Sequence, residues 1–239
     1  GKTFRHDMYA DYKGTRKKTD DELIAQMPLT REVVEAFNMP LMEREGYEAD
    51  DVIGTLAHRY GKELEVVIVT GDMDELQLVD DHVKVYTMRR GFSDTVLYDR
   101  AAVEAKYGVT PEEFVVYKAL KGDTSDNIPG VPGVGDKTAT DLVSKYKTLD
   151  GIYDHLDELK PAVRKKLEEN RKLADLSLEL SRISREVELD FDLKKAHIHD
   201  YDKKHVHELF HRLEFRSLLA KLPGHNTVNT ISDQNSLFE

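Results

Sequence analysis

The chain has 239 residues, of which 39% are hydrophobic and 34% charged, with no cysteine and a formal net charge of −11 at pH 7. That length supports one sizeable core, and the lack of cysteine excludes disulfide scaffolds, thiolate zinc sites and cysteine nucleophiles. No apolar run approaches the roughly 20 residues that span a bilayer and no secretory signal is visible, so a soluble cytoplasmic protein is expected.

In chain order, residues 1–18 are polar and basic: Lys2, Arg5, Lys13, Arg16, Lys17 and Lys18 stand against Asp7 and Asp11. The stretch Lys13–Lys18 reads as mobile or irregular. Thr19-Asp20-Asp21-Glu22 then caps a helix carrying Leu23, Ile24, Met27, Val33, Val34 and Phe37 at helical spacing. A second helix is predicted over 49–64, burying Val52, Ile53, Leu56 and Ala57. The run Val66–Val69 has the continuous β-branched character of a strand covered on both faces. A turn at Gly71–Asp74 and a short helix follow, then strands over 83–88 and 95–98 around Gly91. Thr110-Pro111-Glu112-Glu113 combines an N-cap, a first-turn proline and a capping-box glutamate, which predicts a helix over 111–120. Further helices are predicted over 137–146, 149–156, 161–180 and 203–222, and the polar tail 223–239 reads as linker. One clear buried strand is fewer than the about five expected of such an α/β chain, which hints that an N-terminal part of the sheet precedes the given residues.

Three acidic groups stand at the ends of these elements. Glu48, Asp50 and Asp51 lie in the first turn of a helix, where the dipole alone favours negative charge. Asp72 and Asp74 follow a strand at its C-terminal end, the usual position of ligand sites in parallel sheets. Asp123 and Asp126 follow a helix, and their plain reading is a capped loop. Seven carboxylates repel one another unless cations neutralise them, and hard oxygen donors suit Mg²⁺ or Mn²⁺. Two such ions support phosphodiester hydrolysis. The run Gly130-Val131-Pro132-Gly133-Val134-Gly135-Asp136-Lys137-Thr138 leads into a helix and reads as a helix–hairpin–helix that grips duplex backbone through glycine-exposed amides and Lys137.

Together with Phe4-Arg5-His6, Tyr12-Lys13-Gly14, Tyr47–Ala57, Thr70-Gly71-Asp72-x-Asp74, Gln77-Leu78, Gly122–Gly130 and Leu213–Leu219, these strings resemble the 5′ nuclease (flap endonuclease) family, most closely the 5′–3′ exonuclease domains at the N-terminus of bacterial DNA polymerase I. The resemblance runs over residues 2–222. It implies a three-layer α/β/α fold with a mostly parallel, PIN-like sheet over 1–110 and a helical helix–hairpin–helix subdomain over 111–222. It also implies metal-dependent, structure-selective cleavage of 5′ flaps, nicked or branched duplex and RNA primers on DNA. Glu48, Asp50 and Asp51 would serve one metal and Asp72, Asp74, Asp123 and Asp126 the other, with Lys13, Arg5, Asp50 and Asp72 carrying catalysis. Arg5, Lys13 and Arg16 would contact the 5′ strand from an arch and Tyr12 would stack on a base. Gly133, Val134, Gly135, Lys137 and Thr138 would hold the duplex, with K⁺ at the hairpin carbonyls. A monomer fused to a polymerase domain is implied.

Family members begin with two strands that each end in a metal-binding carboxylate, and this sequence starts just after the second. The alternative reading is therefore a catalytically incomplete piece that only binds DNA junctions. A weaker competitor is His207-Glu208-Leu209-Phe210-His211, which matches the H-E-x-x-H of zinc proteases. Glu214 and Ser217 stand where the longer zinc motif needs Gly and His. A solvated histidine-rich face accounts better for it.

Overall fold

The computed structural model describes residues 1–90, 94–196 and 201–223, so the expected turn at Gly91 and the tail from residue 224 lie outside the described residues. In chain order the helices are α1 (Phe4–Met8), α2 (Asp21–Ala36), α3 (Ala49–Tyr60), α4 (Arg100–Tyr107), α5 (Pro111–Lys121), α6 (Asp136–Tyr146), α7 (Leu149–Asp154), α8 (Pro161–Glu169), α9 (Arg171–Ser181), α10 (Lys203–Arg212) and α11 (Arg216–Leu219). The strands are β1 (Val66–Val69), β2 (Val83–Arg90) and β3 (Asp94–Tyr98). Packing divides the chain into two compact units, residues 1–17 with 43–189, and residues 18–42 with the chain from Asp190 onward.

The first unit carries the sheet. β1 pairs in parallel with β2, and β2 pairs antiparallel with β3, so the α/β class holds but the sheet is mixed. Only residues 91–93 join β2 to β3, too short a link for the crossover that parallel neighbours require. β1 stands at the sheet edge and buries Ile68 while Val67 and Val69 remain 53% and 65% exposed, so one face is covered, not the two expected. After β1 the chain forms a 3₁₀ turn, Asp74–Leu78, that buries Leu76 and Leu78. α5 is the central helix. Its capping box closes as predicted, Thr110 N–H donating to Glu113 Oε2 at 3.0 Å, and every residue from Phe114 to Leu120 is buried. It packs on the 3₁₀ turn, α6 and α9, and the core runs from Ile68, Val83 and Val85 through Phe114 and Leu120 to Ile152 and Leu167.

Several elements differ from expectation for local reasons. The basic arm opens with a short helix not expected there, Thr3 N–H donating to His6 Nδ1 at 3.1 Å at the start of α1; the chain then turns over residues 10–15, and residues 16–18 are irregular as expected. α3 stops at Tyr60, where the Gly61 amide closes on the Ala57 carbonyl. The long helix over 161–180 breaks at Asn170, whose side-chain amide donates to the Lys166 carbonyl four residues back at 2.8 Å, a competition that short polar side chains offer the helix.

In the second unit α2 and α10 enclose a small core of Ala36, Val206, Leu209, Phe210 and Leu219. The predicted helix over 203–222 is interrupted at Glu214, which takes a φ of +55° before α11 begins. Only the last turn of α2 packs; Leu23, Ile24 and Met27 keep helical spacing yet stay 44–54% exposed. Among the described residues no helix is long and apolar enough to cross a membrane.

Candidate active site

The turn after α1 lies against the loop that follows α5. Lys13 takes a φ of +56° and its amide donates to the Asp126 carbonyl at 2.8 Å, while Asn127 Nδ2 donates to Asp11 O at 2.7 Å. That loop is closed by a two-way backbone bridge between Asp123 and Ile128, and Gly122 is required there: at φ +77° any Cβ would come within 2.7 Å of the Ile128 carbonyl. The result brings residues from three regions together. Lys13 Nζ lies 2.7 Å from Glu48 Oε2 and 3.5 Å from Asp126 Oδ2, Arg16 Nη2 pairs with Asp126 Oδ1, and the Tyr12 hydroxyl lies 3.3 Å from Glu48 and 3.2 Å from Asp126. Burial, then the charges of Glu48 and Asp126, push the Tyr12 hydroxyl pKa upward, so it stays protonated. Its ring is buried at 3% exposure, which removes the expected role of stacking on a base.

A second group forms where the 3₁₀ turn meets α5. Lys118 Nζ lies 2.7 Å from Asp74 Oδ1 and also pairs with Asp123 Oδ2. Asp72 accepts from the Asp74 amide at 3.0 Å, fixing the turn after β1. Burial drives the Asp74 carboxyl up to about 6 although Lys118 pulls against it. Asp123 behaves oppositely: burial works against its charge, but Lys118 and Ser125 outweigh that and hold it at about 2. Burial first, then Asp72 and Glu48, raises Asp50; burial first, then Asp50 and Asp72, raises Glu75. Glu75 is 1% exposed and neither of its oxygens has a hydrogen-bond partner.

Among the described residues no three acidic or histidine side chains converge on one point as a metal site. Glu48 and Asp126 are instead paired with Lys13 and Arg16, and Asp74 and Asp123 with Lys118. The donor chemistry nonetheless suits a hard divalent cation: all donors are oxygens, negative charge is in excess, and the buried Glu75 carboxyl is left without a partner. On α10 the rings of His207 and His211 lie 4.6 Å apart, and among the described residues no third ligand joins them.

Two expected site residues have a different job. Arg5 is 2% exposed, not a surface contact for a 5′ strand. Its Nη1 and Nη2 donate to Asp51 at 2.7 and 2.8 Å, its Nε to Leu180 O at 3.0 Å and its Nη2 to Arg182 O at 2.6 Å. Asp51, 0% exposed, also accepts from the amides of Glu48 and Ser184 at 3.0 and 2.8 Å, so its oxygens are fully engaged within the protein. Gln77 completes this seam, its amide donating to Ser181 O at 3.0 Å and its carbonyl oxygen accepting from Ile183 N–H at 3.0 Å. The segment after α9 is thereby sewn to the helix that carries Glu48 and Asp50.

The hairpin joins α5 to α6 as predicted. Gly133 has a φ of +81°, its carbonyl accepts from Lys166 Nζ at 2.6 Å, and Gly135 caps α6. Gly133, Gly135 and Lys137 are exposed and Thr138 is half-buried. Val134 is buried, and its amide is spent inside the turn on Val131 O at 2.9 Å, so it is an anchor and not a donor to a ligand. Sequence reading missed Lys118 and Glu75. Lys118 is the charged residue within the apolar run Phe114–Leu120, and Glu75 directly follows Asp74 in a turn that goes wholly inside.

Comparison with known proteins agrees with this architecture. Residues 1–108 match the family model of the 5′-3′ exonuclease N-terminal resolvase-like domain, and residues 109–204 that of the 5′-3′ exonuclease C-terminal SAM fold. DNA polymerase I of Caldicellulosiruptor bescii is 42% identical over 93% of this chain and 26% of its own length. That of Bacillus caldotenax is 42% identical over 92% of this chain and 25% of its own. The chain thus spans about a quarter of the curated relatives it matches. Among solved structures, a bacteriophage T5 flap endonuclease in complex with DNA and metal ions superposes with a TM-score of 0.63 at 24% identity, over 76% of this chain and 70% of that one.

Proposed function

The chain belongs to the 5′–3′ exonuclease family, and from that premise we propose that it is the metal-dependent, structure-selective nuclease part of a DNA polymerase I, acting in the cytoplasm on 5′ flaps, nicked or branched duplex and RNA primers on DNA. The observation that carries this reading is the local excess of carboxylates, with Glu75 and Asp126 buried, Asp50, Asp74 and Asp123 half-buried and Asp72 exposed beside them, next to the basic Lys13 and Arg16 that pair with Glu48 and Asp126. The T5 relative's complex with DNA and metal ions supports it.

In this reading Glu48, Asp50, Asp72, Asp74, Asp123 and Asp126 hold two divalent ions, Mg²⁺ or Mn²⁺. When bound, they supply neutralisation of phosphate charge and a water of lowered pKa. Lys13, partly exposed at the mouth of the Glu48–Asp126 pair, turns its ammonium to the scissile phosphate, and Arg16 binds the neighbouring one. Arg5 and Asp51 act through structure, fixing the first turn of α3 on which Glu48 and Asp50 stand. Gly133, Gly135, Lys137 and Thr138 present backbone and charge to duplex phosphates, with K⁺ at the hairpin carbonyls.

A labelled 5′-flap DNA tests this, in this chain and in the intact polypeptide that carries it, with Mg²⁺ and with EDTA. Cleavage near the flap junction is expected in Mg²⁺ only. Asp72→Asn and Asp123→Asn are expected to lower it by about 10²-fold or more while leaving flap binding intact. Undiminished cutting by both variants, or neither cutting nor flap binding by the intact polypeptide, overturns the reading.

A further inference from the structure

We propose that Lys118 is the protein's own counter-ion for the Asp74–Asp123 carboxylates and that a divalent cation binding there must displace it. Lys118 is 9% exposed and issues from the most buried helix of the fold. Its ammonium bridges carboxylates from two separate elements, Asp74 in the turn after β1 and Asp123 in the loop after α5. A buried ammonium is tolerated only when paired, and two half-buried carboxylates facing one another are eased when neutralised, so each side of this bridge stabilises the other in the metal-free protein.

The same bridge opposes cation binding. One positive charge faces Asp74 and Asp123, with Asp72, Asp50 and Glu75 adding to the negative field nearby. A dication entering that field meets the ammonium as a like charge, and the two cannot share the same oxygens at contact distance. The lysine stem has four rotatable carbons, so Lys118 can swing away while Asp74, held by its amide's bond to Asp72, and Asp123, held by the Ser125 amide and the Asp123–Ile128 bridge, stay in place. Lys118 therefore keeps the two carboxylates close together before a metal arrives and lowers the affinity with which it binds. It is a positioning residue, since it acts through Asp74 and Asp123.

The inference rests on the proposed metal role of these carboxylates, and calorimetric titration with Mn²⁺ separates the two. Lys118→Met is expected to bind Mn²⁺ about tenfold more tightly than wild type, a modest share of the repulsion between a unit charge and a dication a few ångström apart. It is also expected to melt at lower temperature without metal and to gain more in melting temperature on adding Mn²⁺. Lys118→Arg, which keeps the charge, is expected to bind like wild type. Equal or weaker binding by Lys118→Met overturns the role of Lys118; no Mn²⁺ binding by either protein overturns the metal reading itself. Should Lys118→Met not fold, the side-chain ammonium ¹H–¹⁵N resonance of Lys118 in wild type decides. It is expected to be protected without metal and lost to exchange as Mg²⁺ is added, and a resonance unchanged at saturating Mg²⁺ overturns the proposal.

Discussion

Arg5 commits its guanidinium to one carboxylate and two backbone carbonyls, all inside the protein. A residue so placed contributes by keeping Asp51 ionised and oriented: burial opposes the Asp51 charge, and Arg5, with the Glu48 and Ser184 amides, more than reverses this and lowers its pKa. Arg5→Met leaves the Asp51 charge buried and unpaired, which costs about 3–5 kcal/mol. The expected outcome is a large loss of unfolding free energy in denaturant titration, with flap-DNA affinity unchanged under conditions where the variant remains folded. Loss of affinity at full stability would mean that Arg5 reaches the nucleic acid after all. The motif Phe4-Arg5-His6 was legible as part of a site, but its role was not. The partners of Arg5 lie 46 and 175 residues away along the chain, beyond the reach of any local pattern. Lys118 was illegible for the same reason, because nothing in Lys-Ala-Leu-Lys-Gly-Asp says which of its two lysines turns inward.

At the scale of elements, the strongest local signals, the Thr110–Glu113 capping box and the β-branched run of β1, located their helix and strand correctly because they depend on neighbours in sequence. Ends and interruptions were less legible, since a side-chain amide at Asn170 or a left-handed residue at Glu214 decides them. Coverage of β1 and of the front half of α2 was misjudged because apolar spacing reports what a face can bury and not what lies over it. One glycine shows how closely the elements fit. A Cβ on Gly54 of α3 would stand 2.5 Å from Ile183 Cγ2 and 3.1 Å from the Ser184 carbonyl, on the very segment that Asp51 and Gln77 tie down. Gly54→Ala is thus expected to cost about 1–3 kcal/mol by overpacking, despite the better helix propensity of alanine. Thermal melts showing equal or greater stability would mean that the 181–187 segment yields easily.

Over the whole molecule, a net charge of −11 means that attraction to a polyanion depends on where the cations stand and not on their sum. Lys137, exposed at the first turn of α6 beside the hairpin glycines, is such a cation. Lys137→Ala is expected to weaken duplex binding uniformly across sequences and to reduce the slope of log affinity against log salt by about 1. Fluorescence anisotropy over a salt series measures it, and an unchanged slope would remove Lys137 from the phosphate contacts.

The unit formed by residues 18–42 and the chain beyond Asp190 is assembled from two stretches separated in sequence by residues 43–189 of the first unit. It is consequently not a module that evolution or an experimenter can excise with one cut. Three backbone crossings, at 17–18, 42–43 and 189–190, tie it to the rest, so a single proteolytic nick in the exposed link after α2 severs no more than one of them. The two pieces of such a nicked protein are expected to co-elute in native chromatography and to part in denaturant, because Ala36 of one shares a small core with Val206, Leu209 and Phe210 of the other.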